Sequence, residues 1–178
     1  MPNKVGDTKR RTKKDKKKWK KKVYGVYTNK HIRLTIEQSI DSLKKFRGVK
    51  RRMDLVADIS NTKVFDDFAH HPTAIKMSSN SIKDKYPNKK ILGIVELGSN
   101  TMSSGYHKDN LIESFKILDK TLLLDHNNAY DYLNRFDSEE KMLDCIRTEI
   151  SEYDIILVMT NKDSQKFIKP ILDSLEKK

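Results

Sequence analysis

The sequence predicts a doubly wound α/β fold on a mostly parallel sheet, and three observations predict it. Residues 91–96, 121–124 and 155–159 are short, nearly continuous apolar runs, the pattern of strands buried on both faces. Between them, apolar residues recur at helical spacing: Leu111, Phe115 and Leu118, then Met142, Ile146 and Ile150. Strand-like and helix-like stretches alternate, and that order favours parallel strands joined by crossover helices.

Taken in order, residues 1–22 hold 12 of the 37 basic side chains and 2 of the 25 acidic ones. They have almost nothing to bury, so a disordered basic tail is expected there. The remaining 25 basic and 23 acidic residues nearly balance, so the net charge of +12 belongs to the tail. Such a tail suits nonspecific nucleic-acid contact, with Trp19 able to stack on a base, and equally a solvated arm with no partner. Cys145 is the single cysteine, which excludes an intrachain disulfide and fits a reducing compartment. No apolar run approaches the ~20 residues of a membrane helix, and the N-terminus lacks a signal peptide's apolar core. A cytoplasmic protein without membrane contact is the expectation.

Thr35 and Gln38 have capping-box spacing, and Ile36, Ile40, Leu43 and Phe46 continue as the apolar face of a helix ending before Gly48. Met53, Leu55, Ala57 and Ile59 alternate as one face of a strand. Ser60-Asn61 makes a turn, and a second strand runs through Val64-Phe65 into Asp66 and Asp67. Pro72 suits the first position of a helix carrying Ile75, Ser79 and Ile82, which ends by Tyr86 because Pro87 follows. A polar loop spans 98–105, and Phe167, Ile171 and Leu175 mark a closing helix.

The chemistry gathers in residues 64–75, where Asp66, Asp67, His70 and His71 crowd a strand-to-helix turn. Open α/β sheets bind ligands beyond the carboxyl ends of their strands, and a helix N-terminus favours anions. Polar capping of an ordinary turn explains the same residues. A metal centre built from this Asp/His group lacks a further ligand cluster elsewhere in the sequence. The strand order implied by the pattern brings the loops 66–73, 98–105 and 161–164 to one edge.

The run Asp66-Asp67-Phe68-Ala69-His70-His71-Pro72-Thr73 resembles the motif that opens the C-terminal domain of Mur ligases. Phe46-Arg47-Gly48-Val49-Lys50-Arg51-Arg52-Met53 is similar to the family's entry into that domain, and Ser99-Asn100-Thr101-Met102 to a loop of its murein peptide ligase branch. The resemblance covers roughly residues 34–178 and thins after Leu124. It implies a Rossmann-like domain over 48–178, preceded at 23–47 by the end of the central ligase domain and its linker. The implied function is that of the C-terminal part, truncated or split, of an ATP-dependent amide ligase that attaches recycled peptide to UDP-N-acetylmuramate in peptidoglycan recycling. Arg52 would reach the ATP phosphates and Asp67 the ribose, a guanidinium fork and a carboxylate each suiting that partner. His70 and His71 would lie near the incoming amine. Ser99, Asn100, Thr101 and Asn161 would meet the peptide.

Two departures stand out. The family reads Glu-Pro-Arg where this chain has Glu96-Leu97-Gly98, and a glycine-rich run where this chain has Thr160-Asn161-Lys162-Asp163-Ser164-Gln165-Lys166. Returning arginine to position 98 is therefore expected to strengthen peptide binding. No Gly-x-x-x-x-Gly-Lys-Ser/Thr phosphate loop occurs, so ATP and magnesium would need the family's central domain. No catalytic or metal-ligating residue is assigned to this chain alone, which is expected to be inactive without a chain carrying the UDP-binding and phosphate-loop domains. Two other readings fit the residues: a non-catalytic binding module with a nucleic-acid-binding arm, and an inactive remnant.

Overall fold

A computed structural model describes residues 36–45 and 48–177. The basic tail, Thr35, and all of 23–47 outside residues 36–45 lie beyond the described residues. Of that region, helix α1 (Ile36–Lys44) is seen, with Ile36, Ile40 and Leu43 all exposed. It belongs to a unit distinct from the one that begins at Gly48.

The second unit is a six-stranded sheet between two helical layers. Its strands are β1 (Asp54–Ile59), β2 (Thr62–Asp67), β3 (Ile91–Glu96), β4 (Lys120–Leu124), β5 (Arg135–Phe136) and β6 (Ile155–Met159). They lie in the order β1-β2-β6-β3-β4-β5. Only the β1–β2 pair is antiparallel. The β1–β2 hairpin closes on Ser60 and Asn61 at φ 51° and 67°, the left-handed pair that matches a hairpin's twist.

The helices are α2 (Pro72–Lys85), α3 (Asn100–Ser103), α4 (Lys108–Phe115), α5 (Glu139–Glu149) and α6 (Gln165–Glu176), with a 3-10 turn at Ile150–Glu152. One sheet face packs Phe65, Val95 and Leu157 against Ile75 and Ile82 of α2 and Leu111 and Phe115 of α4. The other packs Val64, Ile94 and Val158 against Met142 and Ile146 of α5 and Phe167 and Ile171 of α6. Each such buried side chain contributes roughly 1.5–3 kcal/mol of transfer free energy. Gly93 lies at a close approach, since a Cβ there would press on Leu118 and sit 3.2 Å from Thr121 Oγ1.

Four details differ from the sequence expectation. Strand β1 does not keep one face. A bulge at Val56 shifts the register between Leu55 and Ala57, so Met53 packs on one core and Ala57 and Ile59 on the other. An inserted residue reverses the side-chain alternation beyond it. The 98–105 loop contains the short helix α3, started by Ser99. Helix α4 ends at Phe115, and Leu118 joins the core from the turn beyond it. The two-residue strand β5 carries too short a pattern to be read from sequence. Among the described residues, no helix is long and apolar enough to cross a membrane.

Candidate functional site

Strand order places the candidate site. Because β6 lies between β2 and β3 and all three run parallel, Asp67, Met159 and Val95 end in register. The 66–73, 98–105 and 161–164 loops therefore leave the same edge of the sheet, with the β6–α6 turn between the other two.

Two of the buried carboxylates at this edge share the β6–α6 turn. Asp66, at the end of β2, accepts from Arg51 Nε at 3.2 Å and from Ser164 Oγ at 2.8 Å. Arg51 also donates through Nη2 to the carbonyl of Thr160 at 2.7 Å. Glu96, at the end of β3 and 0% exposed, accepts from Thr160 Oγ1 at 2.9 Å and Lys166 Nζ at 2.7 Å. Lys162 Nζ stands farther off, 3.4 Å from the same Glu96 oxygen. Lys166 also reaches Glu139 at 3.0 Å. Burial alone would lower the Lys166 pKa, but hydrogen bonds to Glu96 and Glu139 more than offset it and hold the ammonium above its ordinary value. Residues 160–166 thus serve both carboxylates, one hydroxyl to each.

Asp67 is 3% exposed and organises the backbone. Its Oδ1 accepts from Ala69 N at 2.7 Å and Ser78 Oγ at 3.2 Å, and its Oδ2 accepts from Met53 N at 2.8 Å. Arg51 and Met53 have φ of 57° and 52°, a left-handed conformation that costs a non-glycine residue about 1 kcal/mol or more. The Asp67–Met53 bond and the bond from Phe68 N to Arg51 O at 3.0 Å hold this strained bend. Arg52 lies between the two strained residues. It is exposed, its guanidinium is 5.3 Å from the Phe68 ring centroid, and among the described residues it has no ion pair.

His70 Nδ1 lies 3.0 Å from the carbonyl of Phe68. A carbonyl only accepts, so Nδ1 carries a proton, and a neutral ring in this orientation would present Nε2 as an acceptor. His71 is the N-cap of α2, its Nδ1 accepting weakly from Thr73 N at 3.4 Å. Its ring meets that of His107 edge-on at 4.7 Å. Both line a cleft of about 330 Å³ with Thr73, Lys76 and Asn110.

The remaining expected residues divide. Ser99 uses its Oγ to accept from Met102 N at 3.3 Å, capping α3, while Asn100 and Thr101 are exposed on that helix. Asn161 has its Oδ1 buried without a hydrogen-bond partner, pressed against Gly98. Among the described residues, no group of three or more His, Cys, Asp or Glu side chains could hold a metal. Sequence reasoning did not single out Arg51, Ser78, Glu96, Thr160, Ser164 or Lys166. Their bonds span 11 to 109 residues, and no local spacing signals them.

The model of the Mur ligase glutamate ligase domain matches residues 51–162. The UDP-N-acetylmuramate--L-alanyl-gamma-D-glutamyl-meso-2,6-diaminoheptandioate ligase of Haemophilus influenzae is 30% identical over 160 residues, covering 83% of this chain and 35% of that protein. A crystal structure of a murein peptide ligase from Psychrobacter arcticus superimposes with a TM-score of 0.62 at 29% identity, covering 81% of this chain and 34% of that one. A domain of a putative ligase from Haemophilus ducreyi has the same fold, with a TM-score of 0.58 at 22% identity, 70% of this chain matching 99% of it. This chain spans about a third of the length of the curated relative from Haemophilus influenzae. With the family model matched over most of the sheet and over the edge where its carboxylates lie, the chain belongs to the Mur ligases and carries their C-terminal, glutamate ligase domain.

Proposed function

We propose that this domain works within an ATP-dependent amide ligase that joins a peptide to UDP-N-acetylmuramate in peptidoglycan recycling, in the cytoplasm. The observation that carries the reading is Arg52: its backbone is clamped between two strained residues, and its guanidinium has no carboxylate partner among the described residues. An uncompensated guanidinium carried on a constrained backbone suits phosphate oxygens.

In the reaction, a carboxylate oxygen attacks the terminal phosphorus of ATP and ADP leaves. An amine then attacks the acyl phosphate, expelling phosphate and losing a proton. Arg52 would hold the ATP phosphates through the first step. Asp67 would hold the bend under Arg52 through the Met53 amide; the ribose contact expected of it would need an oxygen freed from these donors, since both of its oxygens are engaged internally. His70 would accept an N–H of the incoming amine at Nε2, with His71 beside it at the α2 N-terminus. Ser99, Asn100, Thr101 and Asn161 would face the peptide. The carboxylates Asp66, Asp67 and Glu96 are engaged within the protein, so magnesium and the phosphate cradle are assigned to the family's UDP-binding and central domains.

The test is reconstitution. The purified chain is mixed with a protein comprising the UDP-binding and central domains of a murein peptide ligase, then given ATP, magnesium, UDP-N-acetylmuramate and the tripeptide. ADP release with amide formation is expected only from the mixture. Equal turnover by the chain alone, or none from the mixture, would overturn the reading.

A further inference from the structure

Where β3 runs out, Gly98 leaves a space that residues 161–162 occupy. A Cβ at position 98 would collide with Asn161 Oδ1 and lie 3.0 Å from Lys162 Cγ. The Asn161 amide therefore lies within the volume that any side chain at 98 would need, and the stem of Lys162 borders it. Its ammonium emerges beside Glu96, but Glu96 is already satisfied by Thr160 Oγ1 at 2.9 Å and Lys166 Nζ at 2.7 Å. Lys162 adds only a looser approach of 3.4 Å, and its side chain is 44% exposed. A half-exposed ion pair at that distance holds its lysine weakly. Lys166, by contrast, is locked between Glu96 and Glu139. Of the two lysines beside Glu96, one is structural and the other can leave its partner without stranding a buried charge.

We infer that Lys162 is the specificity-determining cation of the peptide site, reaching from the β6–α6 turn, past Gly98, to a carboxylate of the peptide. This rests on the function proposed above and names the side chain that selects the substrate class, an anionic peptide. Asn161, pressed against Gly98, fixes where the lysine stem begins. The consequence for position 98 reverses the sequence expectation. Gly98→Arg would displace Asn161 and Lys162 rather than add to them, so one cation replaces another at the expense of the turn.

The test titrates the full chain with the tripeptide L-alanyl-γ-D-glutamyl-meso-2,6-diaminoheptandioate, and with the same peptide carrying amidated carboxyl groups, by calorimetry. Lys162→Ala is expected to weaken tripeptide binding by about tenfold to a hundredfold, the loss of one charge-assisted hydrogen bond. Lys162→Arg is expected to retain most of the affinity, and neither variant to move the unfolding midpoint. The amidated peptide is expected to bind weakly and equally to wild type and Lys162→Ala. Gly98→Arg is expected to lower the midpoint without tightening binding. Equal tripeptide affinity for wild type and Lys162→Ala, including no binding by either, overturns the inference, as does a stable Gly98→Arg that binds more tightly. A mixture that still ligates while Lys162→Ala leaves the peptide KM unchanged refutes the role of Lys162 alone and leaves the ligase reading standing.

Discussion

Asp66 and Glu96 are the same device built twice, and they differ in what holds them. Each is a buried carboxylate at the carboxyl end of a strand, and each takes one hydroxyl from the β6–α6 turn, Ser164 for Asp66 and Thr160 for Glu96. Asp66 is paired by a guanidinium that is itself pinned to the Thr160 carbonyl at 2.7 Å. Glu96 is paired by two ammoniums, one close and one loose, at 2.7 and 3.4 Å. A planar fork with several directed donors fixes geometry, whereas a lysine is a flexible point charge. The first arrangement braces the bend that presents Arg52; the second leaves one cation to spare.

If that contrast holds, removing the fork is the costliest change. Arg51→Met leaves Asp66 buried against a single hydroxyl. Breaking a buried pair in this way costs about 3–5 kcal/mol, read as a lower denaturation midpoint in urea. Equal stability of this variant and wild type would mean Asp66 does not depend on its fork.

Lys166→Met is expected to cost less, about 1.5–3 kcal/mol for a charged hydrogen bond, because Lys162 already stands near Glu96. The double variant with Lys162→Met is expected to cost more than the two single changes added together. Strict additivity would show that Lys162 provides no reserve.

Alkaline pH sharpens the same comparison. The Lys166 ammonium is held above its ordinary value in the folded protein. Its contribution is therefore fully present below about pH 10.4, the ordinary lysine value, and is lost as pH rises through the higher folded value. Lys166→Arg keeps the charge and is expected to flatten this part of the decline. An unchanged alkaline profile would remove Lys166 from the account.

The smallest effect lies away from both carboxylates, at the start of β6. Asp154 is hydrogen-bonded by Lys89 at 2.8 Å and by the Lys90 amide at 2.9 Å, and both depress its pKa, the lysine more. Its stabilisation is present above about pH 3.9 and lost as pH falls through the lower folded value. As a partly exposed pair it contributes under about 1 kcal/mol. Asp154→Asn is expected to soften only the acid limb of the stability profile.

These differences track what could be read in the sequence. The β2 end was legible because its parts are neighbours in the chain: Asp67 bonds Ala69, His70 bonds the Phe68 carbonyl, and Pro72 opens α2. Buried strands and amphipathic helices were legible because burial on a sheet or helix imposes its own period. The bulge at Val56 was not, since an extra residue reverses a pattern without leaving a composition mark. Nor was the β3–β6 edge, where Lys166 meets Glu96 across 70 residues and Arg51 meets Thr160 across 109. There the sequence showed only a missing arginine and missing glycines. The structure shows that Lys162 and Asn161 fill the space beside Gly98.

The central claim is that the strained bend exists to present Arg52, and the KM for ATP of the reconstituted Arg52→Ala enzyme tests it most directly. The account predicts a rise of about tenfold to a hundredfold, the loss of a charge-assisted bond to phosphate, with the peptide KM and the unfolding midpoint nearly unchanged. An ATP KM equal to that of wild type would contradict it.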